Sequence, residues 1–389
     1  MIKSFDPSKG TPGNIITITG KGFGDAVSVV NLSFNGTKAV ISVLSDTVIV
    51  APVPPGAATG KISVSLNGHS AISEKNFVIL PGTWIRKKDI PFTGTPSPYN
   101  GGPGRVYPSA FSIGNKGYAG AGSSPNKDGV GPWLTDWWEY DPSADQWTSK
   151  ADFPITGGLI VGVSFAINSK GYAGVGQPNC GCAYPFTKEF WEYDPSADHW
   201  TRKADFPGAW KKDGIGFGAR DKGYAGLGLS WDSAGGFAQK DWWEYDPIID
   251  SWTRKADFPG LPQSDLTGFV INNKIYLGLG QDNLDRSWWE YDPSNDSWSR
   301  KADYPGISMA GSSPGGFTVG NKGYIAGISE CWEYDPATDQ WKEQAFFDNF
   351  RAAGVAFAIG EKGYFTSGGG SLFSDYSLRN DLWEFTPPQ

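Results

Sequence analysis

The string Trp-Glu-Tyr-Asp-Pro begins at Trp138, Trp191, Trp243, Trp289 and Trp332, and a looser copy, Trp-Glu-Phe-Thr-Pro, begins at Trp383. A unit repeated at this spacing buries its apolar faces only against its neighbours, so the chain must build a stack or a ring. A second marker, usually Lys-Gly-Tyr, precedes each copy at Tyr118, Tyr172, Tyr224, Tyr276, Tyr324 and Tyr364. A third follows the first five copies as a Trp that opens Trp-Thr-x-Lys-Ala-Asp-Phe-Pro or a variant, at Trp147, Trp200, Trp252, Trp298 and Trp341. Its sixth copy stands far upstream, from Trp84 to Pro91. A ring of sheets leaves open edges unless its ends interlock, so this displacement predicts closure by an N-terminal strand, residues 84–91, pairing with the last blade.

Each unit reads as four short strands, a to d. In the first unit these are Val106 to Ile113, Gly117 to Gly122, Asp136 to Tyr140 and Trp147 to Ala151. Asp141-Pro142 between the last two has turn chemistry, because proline fixes φ for the second turn position. Residues 84–389 divide into six units of about 51 residues, near the length of kelch repeats. The markers resemble the kelch repeat, and the resemblance implies a six-bladed β-propeller with the Tyr of strand c and the Trp of strand d as packing residues. One departure is that the family's double glycine after strand b is mostly Gly-x-Gly here, as in Gly174-Val175-Gly176.

Residues 1–80 lack these markers. They read Ser4-Phe5-Asp6-Pro7-Ser8-Lys9-Gly10, then Ile16-Thr17-Ile18-Thr19-Gly20-Lys21-Gly22-Phe23, with further alternating strands expected at Val40 to Val43, Val48 to Ala51, Lys61 to Leu66 and Lys75 to Leu80. Short alternating strands separated by turn residues predict a small β-sandwich. The opening motif resembles the IPT/TIG immunoglobulin-like domain. The expected fold is therefore all-β: an Ig-like sandwich at 1–80 and a propeller at 84–389.

Composition narrows the function. A net charge of −8 without clustered Lys or Arg argues against nucleic acid. No apolar run reaches the length of a membrane-spanning helix, and the first residues carry no charged-then-apolar leader. Two His in the whole chain leave little for zinc or imidazole chemistry. The pairing of sandwich and propeller is similar to galactose oxidase, which implies a copper-radical site. Neither His69, in the sandwich, nor His199, at the start of an outer strand, suits that site, so no metal or cofactor is expected. Cys180 and Cys182 share a loop and Cys331 stands apart, too few for a thiolate metal site.

The repeated glutamates, from Glu139 to Glu384, and the Asp-Pro aspartates read as scaffold. Function is expected where the units differ, in the b-to-c and d-to-a loops of one face. Aromatics outside the repeat pattern occur there, including Trp133, Tyr184, Trp210, Trp231 and Tyr376, beside Arg105, Asp128, Asp282, Arg286 and Arg351. Flat rings with a few polar anchors suit stacking on sugar rings. The expected role is non-catalytic recognition of a glycan outside the cell or at a bacterial cell surface, within a surface assembly in some settings. A protein partner on the same face is the first alternative. A mutarotase- or epimerase-like enzyme, as the resemblance to some bacterial kelch propellers implies, is the second.

Overall fold

The computed structural model describes residues 1–92, 104–124, 132–178, 186–209, 211–232, 235–280, 285–307, 314–327, 330–345, 351–369 and 378–388, with backbone alone at 28, 231 and 232. Two compact units emerge, one built on Met1–Thr83 and one running from Trp84 to Thr386 with one short break.

In the first unit the alternation of Ile15 to Ile18 puts Ile16 and Ile18 inside and leaves Ile15 exposed, as the two-residue period of a strand requires. A four-stranded sheet orders Ile2–Asp6, Ile15–Gly20, Val48–Pro52 and Val43–Leu44. It faces a five-stranded sheet of Lys9–Gly10, His69–Ile79, Gly60–Leu66, Val30–Phe34 and Thr37–Ala39, with Phe23, Phe34 and Phe77 in the core between them. Of the strand expected over Val40 to Val43, only Val43 lies in one, Val43–Leu44, and residues 40–42 connect it to Thr37–Ala39. Val40 is 77% exposed, so its apolar character did not reflect a buried face.

Among the described residues the second unit holds six four-stranded sheets. Strand a of each blade is Ser109–Ile113, Leu159–Ile167, Ile215–Ala219, Thr267–Ile271, Gly315–Val319 or Val355–Ile359. In the sixth blade, Thr83–Lys87 pairs with Leu382–Thr386, so the N-terminal strand closes the ring as expected. The b-to-c connection of the third blade, residues 229–240, carries the strands Leu229–Asp232 and Gly235–Ala238 as a separate hairpin.

Both faces of a blade are covered by its neighbours, which explains why each unit needs so many rings. Trp137, Trp242 and Trp288 are fully buried on one face of strand c, and Tyr140, Tyr245 and Tyr291 on the other. The repeated polar residues lock blade to blade. Asp198 accepts hydrogen bonds from Tyr193 Oη of its own blade at 2.7 Å and from the Ala151 amide of the preceding blade at 2.8 Å. Trp200 Nε1 donates to the Ala151 carbonyl at 3.0 Å. Asp250 with Trp252, Asp296 with Trp298 and Asp339 with Trp341 repeat the clamp. The repeated glutamates are scaffold groups too, for Tyr118 donates to Glu139 at 2.8 Å and Tyr172 to Glu192 at 2.6 Å.

The glycine of Lys-Gly-Tyr has a packing reason. A Cβ on Gly171 would lie 2.1 Å from the Phe111 ring of the preceding blade, and Gly117, Gly223, Gly323 and Gly363 are covered by Phe357, Phe165, Phe269 and Phe317 in the same way. The fourth blade carries Ile275 at this place, and there the Phe217 ring lies instead within 2.7 Å of where a Gly268 Cβ would stand. Gly171→Ala is accordingly expected to overpack the first interface and cost about 1–3 kcal/mol, read as a lower midpoint in urea unfolding. A cost near zero would mean that the rings are free to shift.

Candidate functional site

The six a strands surround an axial channel of about 610 Å³. Residues from all six blades line it, among them Gly162, Gly216, Ser164 and Thr318. The wall hydroxyls are partly used between blades, Ser164 Oγ donating to the Ala110 carbonyl at 3.3 Å and Thr318 Oγ1 to the Val270 carbonyl at 2.8 Å.

One mouth of the channel differs from the wall. Strand a starts on the face from which the b-to-c loops depart, because a and b run antiparallel. Two residues before strand a, the first, third, fourth and sixth blades place Tyr107, Asp213, Asp265 and Ala353, each in the left-handed region with φ between 53° and 57°. For a tyrosine this is a strained conformation that only the surroundings can hold. Main-chain bonds link neighbours around the rim: the Tyr107 amide donates to Ala353 at 2.8 Å, and the Asp265 amide to Asp213 at 3.1 Å.

The mouth therefore carries Tyr107, Asp213 and Asp265 in one channel lining. Burial, then the charge of Asp265, pushes the Asp213 carboxyl up to about 6, with Lys212 Nζ at 3.3 Å opposing the shift. Burial and the two aspartate charges drive the Tyr107 phenol well above its usual range, so it remains a hydroxyl donor. Ser264 Oγ donates to Asp265 at 3.1 Å. A hydroxyl donor beside two carboxyl acceptors matches a ligand that is itself rich in hydroxyls.

Two residues expected to contact ligand do something else. Arg105 and Arg351 are fully buried. Arg105 pairs with Asp136 through both guanidinium ends at 2.8 and 2.7 Å, and Arg351 with Asp381 at 2.6 and 2.8 Å. The expectation that these arginines present free charge to a ligand is thus corrected. Each pins a d-to-a loop to strand c of its own blade, and Lys211 does the same with Asp241 at 2.5 Å. A sequence signal existed: an acidic residue stands two places before the Trp of strand c at Asp136, Glu189, Asp241, Glu330 and Asp381.

Of the remaining expected residues, Trp133 is half-buried in a bridge with Ser123, and Arg286 is exposed, with Nη1 3.5 Å from the Pro305 carbonyl. Trp231 is placed by its backbone in the extra hairpin. Asp128, Tyr184, Trp210, Asp282 and Tyr376 lie outside the described residues, as do Cys180 and Cys182. The structure adds Tyr107, Asp213 and Asp265, which sequence reasoning passed over. Their signal was variation at one fixed place in the repeat, two residues ahead of strand a.

His69 begins a strand of the first unit and His199 an outermost strand of the second blade; neither lines the channel. Among the described residues no group of three or more His, Cys, Asp or Glu could hold a metal ion, and no helix is long and apolar enough to cross a membrane. Cys331 is buried, and burial pushes its thiol well above the usual range.

Comparison with known proteins agrees with the two-part architecture. Over 84 residues the chain is 38% identical to the cyclomaltodextrin glucanotransferase of Bacillus licheniformis, a match that takes in 20% of this chain and 11% of that enzyme. The chain thus spans about a tenth of the curated relative it matches. YjhT shares the fold with a TM-score of 0.59 at 15% identity, over 74% of this chain and 96% of its own. Residues 1–78 match the IPT/TIG domain family, so the sandwich is an IPT/TIG domain and the chain as a whole joins it to a propeller-like fold.

Proposed function

We propose that this protein is a non-catalytic extracellular or surface binding protein that recognises carbohydrate at the loop-face mouth of its propeller channel. The observation that carries the reading is the asymmetry of that channel: the charged members of its lining, Asp213 and Asp265, stand with Tyr107 at one end. Sugar hydroxyls are bound by such a set, since the phenol donates and the carboxyl groups accept. The partial match to a cyclomaltodextrin glucanotransferase supports a sugar ligand, and the IPT/TIG domain supports an extracellular setting.

Calorimetry with maltohexaose, a cyclomaltodextrin and a wider panel of neutral oligosaccharides tests this. A saturable heat is expected with at least one of them, weakened about tenfold or more by Asp213→Ala and less by Tyr107→Phe, which removes one hydrogen bond. Absence of heat across the panel sinks the proposal.

A second reading, sugar mutarotation or epimerisation, is favoured by one feature. A carboxyl group held near 6 beside a second carboxylate can give and take a proton close to neutral pH. The arginines that would have supplied its cationic partner are engaged elsewhere. Mutarotation of free sugars followed by polarimetry, unchanged on adding the protein, excludes it.

A further inference from the structure

A second concavity, of about 600 Å³, opens beside the third blade and is lined by Lys188, Lys240, Asp241, Trp243, Arg254 and Asp257 among others. Its charge runs against that of the chain. Asp241 is taken up by Lys211 Nζ at 2.5 Å and by Trp243 Nε1 at 2.8 Å. Asp257 is taken up by Arg254 Nη2, at 2.8 and 3.0 Å to its two oxygens. Lys188 and Lys240 are left, and among the described residues neither ammonium has a carboxylate within ion-pair distance. The groove therefore holds two uncompensated positive charges in a protein of net charge −8.

The placement is built into the repeat. Lys188 and Lys240 both stand three residues before the Trp of strand c, in consecutive blades, and Arg286 takes that place in the next. Strand pairing sets Arg254 opposite Trp243, with the guanidinium 5.7 Å from the indole centroid. Two like charges lining one groove favour the binding of an anion there. An aromatic edge beside ammonium groups suits a ring that bears a carboxylate.

We propose that this groove is a further binding site, distinct from the channel mouth, for an acidic saccharide carrying carboxylate groups. The lysines supply charge-assisted hydrogen bonds to the carboxylates, and Trp243 with its Arg254 cover supplies the flat flank.

The test is calorimetry of the full chain with trigalacturonate at low ionic strength, maltotriose serving as the neutral probe. Trigalacturonate is expected to bind, more weakly as salt is added. Lys188→Ala/Lys240→Ala should weaken it about tenfold or more, and Lys188→Arg/Lys240→Arg should retain it. Unaltered affinity in the alanine pair, or no binding at all, overturns the proposal. Equal affinity for citrate also overturns it, because charge alone would then be recognised. Neutral oligosaccharides report on the channel mouth, so failure there and failure here are separate results.

Discussion

Arg351→Met is expected to cost the propeller about 3–5 kcal/mol, the typical penalty for leaving one member of a buried ion pair without its partner. Arg351 is wholly buried, and it donates to Asp381 at 2.6 and 2.8 Å and to the Ser367 carbonyl at 3.2 Å. Removing it strands the Asp381 carboxylate, which also accepts from Trp383 Nε1 at 2.8 Å. The pair itself is a modest stabiliser, because burying two charges costs nearly as much as their attraction returns. Arg351→Met with Asp381→Leu should therefore recover most of the loss. Urea unfolding followed by tryptophan fluorescence measures both, and equal stability of the single and double variants would contradict the assignment. The pH dependence has a definite sign. Burial alone would raise the Asp381 carboxyl, but the hydrogen bonds and charge of Arg351 outweigh it and hold the group below the usual carboxylate range. Its contribution is then present above the unfolded carboxylate pKa and is lost as acid carries the pH down through the folded value.

Ile90→Ala should cost about 2–5 kcal/mol, as expected for truncating a fully buried aliphatic chain. Ile90 sits where the ring closes. It packs in one cluster with Tyr140 and Trp147 of the first blade and Leu382 of the sixth. Its amide donates to the Asn380 carbonyl at 2.8 Å. Just before it, Lys88 offers its amide to Asp145 at 2.9 Å and its carbonyl to Trp147 Nε1 at 2.8 Å, the same clamp that joins the other blades. Loss of Ile90 thus weakens the seam that turns an open row of sheets into a closed ring. Ile248→Ala, at a side chain 87% exposed, should change stability by less than about 0.5 kcal/mol. If both substitutions cost the same few tenths, the closing strand is dispensable. Unfolding midpoints of the two variants against the unmodified chain decide it.

The blades were legible because their contacts are local. Strands c and d pair across four-residue turns whose Asp and Pro recur, and register follows from the turn. The closing strand was legible as well, since a missing marker at one end and a spare one at the other have one economical explanation. The candidate site was less so. Arg105 looked available for a ligand because nothing in a single sequence reveals that Asp136, thirty-one residues on, takes both ends of its guanidinium. Asp213 and Asp265 looked like ordinary loop residues. They gain meaning from the ring, which turns the same repeat position in successive blades towards one axis.

Sequence by itself determined the number of blades, the Ig-like leader domain and the way the circle closes, because recurrent spacing and turn chemistry act over a few tens of residues. Tertiary structure alone decided which of the varied loop residues meet and which are spent on the scaffold. The reason is physical: Tyr107 and Asp265 are far apart along the chain, and only the geometry of a closed ring brings them to one mouth, where burial and the aspartate charges raise the Tyr107 phenol above its usual range.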